Sequence, residues 1–194
     1  MDGTRPRAIG YEDLRVFQLT IADRWLERGE KSRDRFAQFF FYFSGFNALY
    51  FLWKVADNLP EHKDDRPVGE RDHIANLLRK LDHDDAKRIL DEAAGSVAFF
   101  IKRPIQRMDR QTAQAPGQGD PGEGSWLRRQ LANTNAAPVD RVVALGRILY
   151  LVRCNLVHGS KADSGDDGEV IAQAVPALRS LLAASMELTR RRDR

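Results

Sequence analysis

From Phe36 to Trp53 the chain carries no charged residue: FAQFFFYFSGFNALYFLW, 18 residues in all. Crossing a bilayer as a helix takes about 20 apolar residues, so the run is nearly long enough. Gln38, Ser44, Gly45 and Asn47 interrupt it, and the chain has no second apolar run. A helix that is apolar on all sides otherwise lies at the centre of a helical bundle. The expectation is therefore a long central helix over Arg35 to Ala56, with no membrane as partner.

The segments around it carry helical spacing as well. Leu14, Phe17, Ile21 and Trp25 recur three and four apart in a helix expected over Tyr11 to Glu27, with Gly29 as its stop. Asp57 to Gly69 reads as a polar loop with two prolines. Glu70 to Leu81 shows Ile74, Leu77, Leu78 and Leu81, and Asp84 to Ala94 shows Ala86, Ile89 and Leu90. Ser96 to Met108 predicts another helix, broken or kinked near Pro104. Gln111 to Ser125, QTAQAPGQGDPGEGS, has loop composition and is expected to be mobile. Asp166 to Arg192 predicts a last helix facing inward with Val170, Ala174, Leu178, Leu181, Leu182 and Met186, and kinked by Pro176. Its RRRDR ending suits the negative end of the helix dipole. No stretch shows strand alternation. The fold class expected is all-α, a helical bundle with one Gly/Pro-rich internal loop at 111–125.

Length and composition fit that outcome. At 194 residues the chain is expected to form one domain over 1–194. An apolar share of 42% supplies a core. MDGTRPRAIG lacks the apolar segment of a secretory signal. The single cysteine, Cys154, leaves no pair for a disulfide and makes a cysteine-based zinc site unfavourable. A reducing, cytoplasmic location is expected. The net charge of +3 says little about partners. Its distribution says more. Residues 57–96 carry an acidic excess in Asp64, Asp65, Asp82, Asp84, Asp85, Asp91 and Glu92. Residues 101–161 carry a basic one, mostly arginine, which suits either a solvated face or phosphate binding.

Pro138 begins the helix with the most to say, since proline is tolerated in a first turn and Asp140 favours the positive dipole end. It reads VDRVVALGRILYLVRCNLVHG and stops at Gly159. Val142, Leu145, Leu149, Val152 and Leu156 fall on one face. The other side shows Val143, Tyr150, Leu151, Cys154 and Val157, with Arg147 and His158. Two apolar sides need two partners: the core, and then either another helix of this chain or the same helix of a second chain. Arg153 in that setting is costly unless paired or solvated. No acidic residue lies one turn away, so its partner is distant in sequence or is not protein, phosphate being one candidate.

Arg153 and His158 form an Arg-x4-His pair, a weak motif by itself. A histidine followed by glycine at a helix end is also an ordinary C-terminal cap. The chemistry available to the pair is nonetheless specific. A histidine moves protons at neutral pH, and a guanidinium neutralises charge developing on phosphorane oxygens. RNA cleavage by the neighbouring 2′-hydroxyl needs those two functions. Asn155 lies between them, able to bond a phosphate or ribose or to hold the histidine.

Arg153 to Gly159, RCNLVHG, resembles the signature of HEPN domains, in which an Arg-x4–6-His motif ends a helix. Phe43 to Trp53, FSGFNALYFLW, resembles the Phe-Asn-Ala-Leu-Tyr segment of some bacterial HEPN proteins, near the Apea-like branch. With the helix pattern the resemblance spans residues 35–190. It implies an all-α domain and a metal-independent endoribonuclease without a cofactor, acting as a dimer on RNA in a toxin–antitoxin or phage-defence setting, with an antitoxin or regulatory protein as possible partner. It implies Arg153 and His158 as catalytic, Asn155 as supporting and Asn47 as a structural polar residue or one supporting the site from behind. Arg147 and Lys161 would help hold RNA. A two-fold dimer would bring two copies of the Arg–His pair into one cleft. Two positions differ. Cys154 follows the arginine where the family commonly has Asn, His or Asp, which leaves a catalytically inactive RNA- or protein-binding module as the alternative. Ser160 replaces the tyrosine of HEPN toxins silenced by a nucleotidyltransferase, so that control is not expected.

His62, His73 and His83 sit among acidic residues without a familiar ligand spacing, so no metal site is expected. Trp25 and Trp53 read as core anchors, and Trp126 is left open between core and surface. Cys154 lacks the third group a cysteine hydrolase needs.

Overall fold

The computed structural model describes residues 10–57, 62–63, 66–103, 105, 122–157 and 165–191. Among them the chain forms eight helices: α1 (Tyr11–Lys31), α2 (Arg35–Ala56), α3 (Glu70–Leu78), α4 (His83–Glu92), α5 (Ala94–Lys102), α6 (Glu123–Ala132), α7 (Pro138–Val157) and α8 (Gly165–Arg191). A two-residue antiparallel pairing, β1 (His62–Lys63) with β2 (Arg66–Pro67), folds the segment between α2 and α3. The architecture is an all-α helical bundle, as the periodicity predicts.

Asp34 caps α2 by accepting the Phe36 backbone N–H at 3.0 Å. Phe39, Tyr42, Phe43, Phe46, Leu49, Tyr50, Leu52 and Trp53 are buried against α1, α3 and α8. The Trp53 indole donates to the Thr189 hydroxyl at 3.1 Å, tying α2 to α8. The helix is not covered all round: Phe36, Phe40, Asn47, Phe51 and Val55 form an exposed stripe at helical spacing.

α1 departs from its expected face and length. It buries Gln18, Ala22 and Gly29, while Phe17 is 60% exposed. Packing against α2 decides the orientation: an added Cβ at Gly29 would overlap the Tyr42 ring, 2.1 Å from its Cε1. Gly29 thus serves close approach, and the helix continues past it to Lys31. Trp25 is half-buried and stacks on Phe41 with centroids 5.6 Å apart.

The last three residues of the expected loop, Glu123 to Ser125, are the first turn of α6. Gly122 accepts the Ser125 N–H there at 2.8 Å, and Leu127 and Leu131 are buried at helical spacing. Trp126 is 44% exposed. Residues 111–121, and with them the rest of that loop, lie outside the described residues. α5 ends at Lys102, and the expected break at Pro104 lies outside them as well. α8 continues through Pro176, and Arg190 and Arg191 at its end pair with Asp23 of α1, with Asp82 that caps α4 and with Asp85 of α4.

α7 is the helix whose two apolar sides posed the question of a second chain. α3, α4, α6 and α8 of the same chain pack against it, and every residue from Val142 to Gly146 is buried. The two-sided pattern is therefore largely satisfied within the bundle, and Asp140 near the start and Val157 at the end are the exposed residues of the helix. Gly146 sets the α3–α7 spacing, because a Cβ there would overlap Leu78 and stand 3.2 Å from Ile74.

Candidate functional site

Close packing at Gly146 lays the start of α3 beside the C-terminal half of α7. Glu70 opens α3, where the helix dipole favours a carboxylate. Arg153 points at it. Arg153 Nη1 is 3.5 Å from Glu70 Oε2, with the two side chains 31% and 34% exposed. Glu70 Oε1 accepts the Tyr50 hydroxyl at 2.9 Å. The Arg153 guanidinium carbon lies 5.9 Å from the centre of the Phe43 ring, at the outer range of a cation–π contact. Arg153 of the RCNLVHG segment thus meets Phe43 of the FSGFNALYFLW segment directly, and Tyr50 of that segment through Glu70.

The partner of Arg153 is distant in sequence, 83 residues away. Burial, followed by the Glu70 carboxylate, pushes the Tyr50 phenol far above its ordinary pKa, so it stays a proton donor. Burial also raises Tyr150, one turn before Arg153, and contact with the Cys154 thiol adds to it. Cys154 is buried, 6% exposed, and turned to the bundle rather than to the surface.

Arg147 lies deeper. Its side chain is 20% exposed and pairs with Asp72 at 3.6 Å. Its Nε is buried with no acceptor among the described residues, and burial works against its charge, offset by Asp72. Next to it Arg71 binds Glu123 at 2.7 Å. The acidic and basic segments of the chain therefore face one another here, as pairs between α3, α6 and α7, rather than leaving an open basic face. As an RNA contact Arg147 is less available than the sequence suggests.

Asn155 is half-buried in the last turn of α7. Asn47 is exposed one turn from Phe43, and no hydrogen bond from a described residue reaches its side-chain amide. His158 and Lys161 lie outside the described residues. His73 is buried with Nδ1 unpartnered, and burial, helped by Lys54, lowers its pKa. Among the described residues no three His, Cys, Asp or Glu side chains gather as a metal would require. No helix among them is long and apolar enough to cross a membrane.

Sequence reasoning missed Glu70 and assigned Tyr50 no role. Tyr50 lies within the quoted FNALY segment, so its signal was present. Glu70 carried only the signature of a helix start. Comparison with protein-family models, curated proteins and solved structures finds no match to the chain. The family resemblance rests on the residues of the two segments alone.

Proposed function

We propose that the chain is a HEPN-type endoribonuclease that cleaves RNA through Arg153 and His158 without a metal ion. The observation that carries the reading is the contact of Arg153 with Phe43, and its link to Tyr50 through Glu70: two segments read separately as family-like in sequence are neighbours in space. Among the described residues Arg153 meets an acceptor through Nη1 alone, which leaves part of its fork in the shape that suits a phosphodiester. In the reaction the 2′-oxygen attacks the adjacent phosphorus and its proton goes to a base. The 5′-oxygen departs with a proton from an acid, leaving a 2′,3′-cyclic phosphate. His158 serves as base or acid, and Arg153 stabilises the charge on the non-bridging oxygens. Asn155 and Lys161 help hold the substrate, and Arg147 supports the wall of the site.

One histidine per chain performs one of the two proton transfers, and a homodimer supplies the other. With the middle of α7 covered, a second copy would meet the open end of α7 at Val157 and the exposed Phe40 and Phe51 of α2. A toxin or phage-defence role, with an antitoxin as partner, fits such an activity.

A second reading has its own observations. Arg153 already faces a carboxylate, and Cys154 is buried where the family commonly has a polar residue. Both suit a HEPN-like module that binds RNA or protein without cutting. Expression in bacteria separates the two. The ribonuclease arrests growth, and Arg153→Ala or His158→Ala relieves the arrest. The binding module leaves growth unaffected and keeps its RNA affinity with His158→Ala.

A further inference from the structure

We infer that Glu70 and Tyr50 are positioning residues for Arg153, holding one terminal nitrogen of its guanidinium so that the rest of the fork faces an incoming phosphodiester; the choice of ligand rests on the ribonuclease reading. The geometry is end-on. A stabilising arginine–carboxylate pair is typically bidentate at about 2.7–2.9 Å. Here one carboxylate oxygen takes the Tyr50 hydroxyl, and only the other faces Arg153, at 3.5 Å. Of the five N–H donors an arginine carries, those on Nη2 and Nε meet no acceptor among the described residues.

Each constraint on the guanidinium comes from a rigid element. Phe43 and Tyr50 are 5% and 2% exposed on α2. Glu70 is fixed by the start of α3, and α3 by its contact with Gly146. Tyr50 remains protonated at any working pH and so holds Glu70 from behind with a permanent donor. A flexible arginine would have to be ordered at the moment of binding, and this one is ordered in advance. The pair is partly solvated, so a phosphate reaches the open edge without removing Glu70.

The full-length protein tests this through the ¹⁵N–¹H signal of the Arg153 Nε, identified by its loss in Arg153→Lys. In the wild type its order parameter should approach the rigid value of about 0.85, against less than about 0.6 for flexible exposed arginines. Tyr50→Phe, which removes one hydroxyl and keeps the ring packing, and Glu70→Gln should each lower it to the exposed level with the backbone amide spectrum unchanged. On RNA, Tyr50→Phe should lower kcat about tenfold with KM little changed. A wild-type order parameter as low as that of exposed arginines, or one unmoved by Tyr50→Phe, overturns the inference. Absence of cleavage by the wild type with the order-parameter pattern intact removes the ribonuclease reading and leaves the arginine clamp standing.

Discussion

Arg153 and Glu70, 83 residues apart in the chain, face each other at 3.5 Å across α7 and α3, each about one-third exposed. That exposure decides what the pair is worth. A fully buried pair broken on one side costs about 3–5 kcal/mol, whereas a solvated one contributes about 0–1 kcal/mol. Arg153→Ala is therefore expected to lower unfolding free energy in urea by less than about 1 kcal/mol. A much larger loss would mean that Arg153 serves the fold rather than a ligand.

Gly146 is the contact that brings those two residues together. Gly146→Val places a side chain where Leu78 and Ile74 already stand. Overpacking of this kind costs about 1–3 kcal/mol. Thermal unfolding should show the lower Tm, and the displaced α3 should free the Arg153 side chain. An unchanged Tm would contradict the tight α3–α7 contact.

His73 makes stability depend on pH. Its folded pKa is held below its ordinary value of 6.5 by burial and by Lys54, against the opposing pull of Asp72 and Glu70. Between the two pKa values the unfolded chain binds a proton that the folded chain excludes. The stabilisation is thus complete above the unfolded pKa and falls as the pH drops below it. Urea unfolding at successive pH values below neutrality should show this decline, and His73→Gln should flatten it. Equal slopes in the two proteins would contradict the burial of a neutral His73.

Any dimer should depend on the exposed face of α2. Phe51, 47% exposed, is free to change without disturbing the core. Phe51→Glu should shift sedimentation from dimer to monomer and leave Tm nearly unchanged. A wild type that stays monomeric at all concentrations would remove the two-chain arrangement of the site.

The helices with strong periodicity were legible in sequence: α2 and α7 begin at Arg35 and Pro138 as predicted, and α8 buries most of the predicted face. The misses have physical causes. Leu14, Phe17, Ile21 and Trp25 make a regular stripe, yet the close fit of Gly29 to Tyr42 turns α1 toward a different side. α6 as a whole went unread, its Gly- and Pro-rich approach giving the segment the look of a loop. At the site, the motif pointed to Arg153, but Glu70 could not be read as its partner, because nothing local links a helix start to a residue 83 positions later. The apolar second side of α7 left two partners open, and packing within the chain takes up most of it.

The most direct test of the ribonuclease reading is incubation of the purified protein with total RNA and with tRNA in EDTA, beside Arg153→Ala and His158→Ala. Cleavage by the wild type alone, leaving 2′,3′-cyclic phosphate ends, is the expected result. Intact RNA after incubation with folded, dimeric wild type, or equal cleavage by all three proteins, would contradict it.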